Sequence, residues 1–275
     1  LRCDALSLAS SRAGPVVVAA LAEAQAAQAR TLVALDLGSC LLVDDDGVRL
    51  VAAACAATLE RLGLRDCRKL TDAVFDAIEG LPRLIDVDVG GDVNVTPDGA
   101  RRKLLTPPSL GGGGSSSSSK GGRSAKRPKM VVVRTQPLVA LGVSGIRADA
   151  DLLNAAAKHL GPNVLRLGLG YAVAPSAAFQ SAVASWPNLT DLRVQWTTTF
   201  DDDALDALST HCAKIKALDV VGTPVTADAL RRLLRQRATP VNDDLDLPHY
   251  QRTLAVLTTD DAALGERSLQ WLSCR

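Results

Sequence analysis

The sequence predicts an α/β solenoid of about eight strand-plus-helix units, its strands forming one parallel sheet on the concave side and its helices lying outside. Three observations predict it. A phrase recurs in which an apolar residue is followed three positions later by Leu or Val and two positions after that by Leu or Val again. The copies follow one another at a nearly constant interval. A residue suited to start a helix stands at a fixed distance after most of them. Self-similarity of this kind marks units that cannot bury an apolar face alone and must share one core by stacking.

The phrase reads Leu32-Leu35-Leu37, Leu59-Leu62-Leu64, Leu84-Val87-Val89, Leu138-Leu141-Val143, Val164-Leu167-Leu169, Leu189-Leu192-Val194 and Ile215-Leu218-Val220. A degraded copy at Cys3-Leu6-Leu8 begins the series, and Leu245-Leu247 is expected to end it. The one long gap, between Val87 and Leu141, predicts an insertion. Alternating apolar residues within each phrase suit a short strand with one buried face. Seven residues after the last strand position come Asp44, Thr71, Thr96, Ser176 and Asp201, with Thr226 one place early. Their side-chain oxygens can accept from the free amides of a first helical turn. Pro97, directly after Thr96, suits a first helical position. Apolar residues then return at helical spacing, as in Val74, Phe75 and Ile78 or Ala204, Leu205 and Leu208. With 47% hydrophobic residues and only 3% aromatic ones, the shared core is expected to be tiled with Leu, Val and Ala.

Cysteines recur in phase with the strands. Cys40 and Cys67 fall three residues after the last strand position, and Cys55 and Cys212 eighteen after it. The stretch from Leu59 through Cys67 to Phe75, with Thr71-Asp72 at the expected helix start, resembles the cysteine-containing leucine-rich repeat of F-box substrate receptors and their relatives. Cys212 ahead of Ile215 matches that family's strand-leading cysteine. The resemblance covers nearly the whole chain outside the insertion. Elsewhere the post-strand slot holds Ser11, Asp92, Ile146, Ala172, Thr197 or Thr223. The resemblance implies a leucine-rich-repeat horseshoe that holds a protein target on its concave face. It also implies recruitment of Skp1 and cullin through a segment absent from this sequence, which starts at Leu1 inside a repeat and shows no F-box.

The formal charge of +1 hides a split. Residues 101–134 hold nine of the 31 basic residues and none of the 30 acidic ones, so the rest of the chain is acidic by eight. The run Gly111 to Ser119 and the basic stretch after it have too little apolar surface to order themselves. The expected organisation is therefore a first arm, 1–106, of about four repeats, a basic Gly/Ser-rich insertion, 107–134, and a second arm, 135–275, of about four repeats plus a C-terminal cap. Lys126-Arg-Pro-Lys129 reads as a solvated linker, or as a nuclear address or nucleic-acid contact. Without interleaved aromatics, specific nucleic-acid recognition is not expected.

Six cysteines without a C-x-x-C pair argue against zinc, and those at repeat phase are expected to be small buried groups that close the strand-to-helix turn. No apolar run of about 20 residues is present, so no membrane span is expected, and reduced thiols point to the cytoplasm, with Lys126–Lys129 allowing the nucleus. No H-E-x-x-H, G-x-S-x-G or Walker sequence occurs, which argues against an enzyme and gives no reason to expect a cofactor. His159 and His211 fall near helix ends, where capping of carbonyls is the expected role. The triplets Asp44-Asp45-Asp46 and Asp201-Asp202-Asp203 share the helix-start phase, so capping accounts for them without a cation.

The register also assigns neighbours on the concave face. It sets Arg61 beside Asp86, Arg166 beside Asp191 and Arg193 beside Asp219, with mutual ion pairing as the plain expectation. Tyr171 and Trp196 share one phase, two residues after the last strand position, beside Gln195 and Arg193. Trp186, before Pro187 at a helix end, reads as core. The candidate partner-binding residues are Tyr171, Trp196, Gln195, Arg193, Asp191 and Arg166, unless the aromatic pair packs against the ascending loops instead. Two functions remain open: substrate recognition in an SCF-type ubiquitin ligase, or a repeat arm built into a cytoskeletal or ciliary scaffold.

Overall fold

Each phrase through Ile215-Leu218-Val220 becomes a three-residue strand in the computed structural model, which describes residues 4–27, 32–105, 137–237 and 255–257. The strands are β1 (Ala5–Ser7), β2 (Ala34–Asp36), β3 (Arg61–Gly63), β4 (Asp86–Asp88), β5 (Ala140–Gly142), β6 (Arg166–Gly168), β7 (Asp191–Arg193), β8 (Ala217–Asp219) and β9 (Ala255–Leu257). They form one parallel sheet in chain order. Leu6, Leu35, Leu62, Val87, Leu141, Leu167, Leu192 and Leu218 align as one row across it. The ninth place in that row belongs to Val256, not Leu245. Leu245 and Leu247 lie outside the described residues, and the chain regains the sheet 38 residues after Leu218, well beyond the ordinary repeat interval. Residues 107–134 also lie outside the described residues, while β4 and β5 on either side of them are direct neighbours.

The helices are α1 (Pro15–Ala27), α2 (Asp45–Cys55), α3 (Val74–Glu79), α4 (Pro97–Gly99), α5 (Ala150–Leu160), α6 (Ser176–Val183), α7 (Asp202–His211) and α8 (Ala227–Arg237). A π-helical turn, Ala100–Leu105, continues α4. The helices and sheet enclose one continuous core, in which every apolar residue of the phrases from Leu32 to Val220 is at most 6% exposed. Trp186 belongs to it and is fully buried. Burying a Leu or Val side chain contributes about 1.5–3 kcal/mol, so these rows are the main source of cohesion.

Beyond each strand the chain makes a four-residue turn, closed for example by Cys40 N–H to Leu37 O at 3.1 Å and Thr197 N–H to Val194 O at 3.1 Å. The third residue of the turn is left-handed in the eight turns described: Ser10, Ser39, Asp66, Gly91, Gly145, Tyr171, Trp196 and Gly222 all have φ between 58° and 88°. Its N–H extends the sheet ladder, as in Ser39 to Arg65 O at 2.6 Å and Trp196 to Val221 O at 2.6 Å.

Asp44, Thr96 and Asp201 cap their helices as expected, accepting from Gly47, Gly99 and Ala204. Thr226 accepts from Ala229 N–H at 3.2 Å. Asp149, not among the expected starts although it stands six residues after Val143 just as Thr226 does after Val220, caps α5 through Leu152 N–H at 2.8 Å. Two expectations fail. α3 begins only at Val74, after a turn that Thr71 closes onto Ala73 N–H, and α6 follows Pro175 with no side-chain cap. Ser176 instead donates to Asp201 Oδ1 at 2.6 Å.

The acidic triplets divide their work. Asp44 and Asp201 cap their own helices, while the next residue reaches the following repeat. Asp45 accepts from the N–H and hydroxyl of Thr71 at 3.1 and 2.7 Å, and Asp202 from those of Thr226 at 2.8 and 2.7 Å. Asp72 grips Thr96 in the same way at 2.7 and 2.6 Å. The Thr-Asp pair at a helix start is thus a clamp between repeats. His159 and His211 stand in the last turns of α5 and α7, as expected, and donate no hydrogen bond among the described residues.

Candidate functional site

Three columns of side chains leave the sheet on the face away from the helices: the first and third residue of each strand, and the residue two beyond. The third strand residue has a structural duty where it is acidic. Asp36 and Asp88 accept from the N–H of Gly38 and Gly90, both at 2.9 Å, and Asp219 from that of Val221 at 3.2 Å. The carboxylates lean over the next strand, where Gly63 and Gly142 leave room. A Cβ on Gly142 would stand 2.3 Å from Asp88 Oδ1.

Gly142, Ser144 and Gly168 therefore leave a low floor over β5 and β6. A hollow of about 160 Å³ opens there, with Arg65, Asp86, Asp88, Arg166, Asp191 and Arg193 around it. The register neighbours are those expected, Arg61 with Asp86, Arg166 with Asp191 and Arg193 with Asp219. Their ion pairing is not. Arg166 passes over the short side chain of Ala140 and binds Asp86, two strands away, at 2.7 Å. Asp191 accepts the Thr190 hydroxyl. Arg61 and Arg193 are exposed and make no ion pair among the described residues.

Tyr171 and Trp196 come together at the turn beyond β6 and β7. Their ring centroids are 6.4 Å apart at an interplanar angle of 20°, and they remain 50% and 51% exposed. Trp196 lies over Gly222, where a Cβ would come within 2.4 Å of the indole. Gln195 covers Gly170 in the same manner, and its buried Oε1 has no hydrogen-bond partner. Val173, 45% exposed, stands two residues beyond Tyr171. Both aromatics hold the left-handed conformation at φ 61° and 58°. A side chain with a Cβ incurs about 1–2 kcal/mol there. The sequence carried a signal of this in the Ser, Asp and Gly of the other copies, against which Tyr and Trp stand out.

The post-strand slot is wholly buried where it holds Cys40, Cys67, Asp92 or Thr197. Cys40 Sγ donates to Leu8 O at 3.0 Å and Cys67 Sγ to Leu37 O at 3.1 Å, each reaching the residue just after the strand of the preceding repeat. Burial pushes the Cys67 thiol up to about 12, so it stays protonated. Thr197 takes the same place, donating to Leu169 O at 3.3 Å and accepting from Ala172 N–H at 3.2 Å. Cys212 works at the other turn, from helix to strand, donating to Trp186 O at 3.3 Å. Asp92 is the anomaly, because neither carboxyl oxygen has a well-formed hydrogen bond. Burial pushes its carboxyl up to about 8, with Asp66, Asp88 and Asp45 adding to the shift and the Cys67 backbone amide opposing it.

Among the described residues no three His, Cys, Asp or Glu side chains converge as a metal site, and no helix is long and apolar enough to cross a membrane. No protein-family model matches the chain, and no curated protein matches it. Solved structures do share its architecture. Rad7 of yeast, determined in complex with Elc1, superposes with a TM-score of 0.57 at 18% identity over 77% of this chain and 48% of that one. The chain thus spans about half the length of Rad7. The leucine-rich-repeat protein LegL7 of Legionella pneumophila gives 0.46 at 15% identity over 78% of this chain and 65% of its own. Internalin C2 of Listeria monocytogenes gives 0.42 at 11% identity over 78% and 88%. The fold is a leucine-rich-repeat solenoid.

Proposed function

We propose that this chain is a non-catalytic protein-interaction module that holds a protein target on its sheet face, over β5 to β7. The observation that carries the reading is the Tyr171–Trp196 stack, two half-exposed aromatic rings kept in a backbone conformation that glycine adopts at lower cost. Strain held at an exposed site points to a function that repays it. Large rigid aromatics beside an exposed arginine are the composition of a binding hot spot.

At the finer level, the module serves as the substrate-recognition part of an SCF-type ubiquitin ligase, with Skp1 and cullin engaged by a segment outside this sequence. The phased cysteines and the Thr-Asp clamp favour this reading, as does a fold counterpart, Rad7, determined as a complex with Elc1. Affinity purification of the full-length protein from its own cells tests it. Recovery of Skp1 and cullin is expected; their absence, with cytoskeletal or ciliary components recovered instead, would replace the ligase with a scaffold.

A further inference from the structure

Charges around the hollow are unequally committed. Arg166 and Asp86 satisfy each other at 2.7 Å. Asp88 is tied to the Gly90 amide at 2.9 Å, Asp191 takes the Thr190 hydroxyl, and Arg65 lies 3.5 Å from Asp66. Arg193 alone among these lining charges is exposed with no ion pair among the described residues. A guanidinium presents its donors as a planar fork that matches a carboxylate.

Three residues along the chain from Arg193 stands Trp196, stacked with Tyr171 and flanked by exposed Val173. Three residues of chain span at most about 10 Å, which an extended partner crosses in two or three residues. On the other side of Arg193, Gly142, Ser144 and Gly168 line the hollow, while Gln195, folded over Gly170, stands between Arg193 and Trp196.

We infer that the partner segment is acidic: an extended stretch whose carboxylate side chain seats on Arg193 and whose apolar side chain, two or three residues away, lies on the Tyr171–Trp196 shelf. This rests on the proposed protein-binding role of the sheet face. A lysine or arginine at the first position would meet Arg193 with like charge and be rejected, which supplies selectivity as well as attachment.

Selection of displayed random peptides on the full chain tests the inference. The enriched sequences should share Asp or Glu two or three residues from Phe, Trp, Leu or Ile. A synthetic peptide of enriched sequence should lose about tenfold or more in affinity with Arg193→Glu and with Trp196→Gly, as expected for hot-spot residues. Replacing its acidic residue by Arg should restore binding to Arg193→Glu. Enrichment of basic peptides, no enrichment, or indifference to Arg193 and Trp196 would overturn the inference. Indifference to Arg193→Glu combined with sensitivity to Gly168→Arg removes the acidic assignment and leaves the sheet face as the binding face. Indifference to both, with loss of binding in Leu50→Glu on α2, removes the proposed function as well.

Discussion

Tyr171 and Trp196 occupy positions that their own backbone would rather give to glycine, and glycine substitution therefore separates structure from function. Removing the stack forfeits about 0.5–1.5 kcal/mol, while relief of the left-handed strain returns about 1–2 kcal/mol. Tyr171→Gly and Trp196→Gly should each leave unfolding stability within about 1 kcal/mol of the parent in urea titrations while reducing partner binding. A loss of more than about 2 kcal/mol would make the pair a packing device. Asp92 offers a second residue-scale prediction. Its folded carboxyl titrates near 8, above the ordinary carboxylate range, so the folded state holds a proton that the unfolded state releases. Stability should fall as pH rises from the carboxylate range through about 8 and level off above it. The neutral carboxyl stands where Thr197 both donates and accepts, and Asp92→Thr should abolish this part of the slope. Parallel urea midpoints for parent and variant between acidic and mildly alkaline pH measure it; equal slopes would refute a protonated Asp92.

Elements are joined by side chains as well as by the sheet ladder, and the Thr-Asp clamps are the clearest case. Asp45→Ala, Asp72→Ala and Asp202→Ala each remove two hydrogen bonds between repeats and should each lower unfolding stability by about 1–2 kcal/mol. Asp46→Ala, which breaks only an exposed pair with Arg49, should change it by less than about 0.5 kcal/mol. Thermal or urea unfolding of the four variants checks the contrast. The strand rows were legible because burial of one face enforces a strict alternation, and register follows from it. Helix starts were legible less often. Thr71 and Ser176 have the right chemistry, yet α3 begins only at Val74, three residues after Thr71, and α6 follows Pro175 while Ser176 donates to Asp201 of the neighbouring repeat. Local sequence does not display partners some 25 residues away. The Arg166–Asp86 bridge escaped for a related reason: pairing rules address adjacent strands, and the small side chain of Ala140 lets an arginine reach past one.

At the scale of the whole molecule, the same repetition that makes the fold readable assigns most conspicuous residues to structural work. Cysteines carry hydrogen bonds between repeats, acidic triplets cap and clamp, and glycines make room for carboxylates. What repetition leaves unassigned lies on one face: Arg193, Gln195 and the aromatic pair. Their position was legible from phase alone; their strained backbone and mutual stacking were not, because both depend on the turn that follows each strand. The most direct test of this account places a photo-crosslinking phenylalanine derivative at Tyr171 on the sheet-face rim or at exposed Leu50 on α2, and compares adducts of the full-length protein in its own cells. A discrete partner adduct at position 171 and none at position 50 is the predicted result; adducts at position 50 with none at 171 would contradict it.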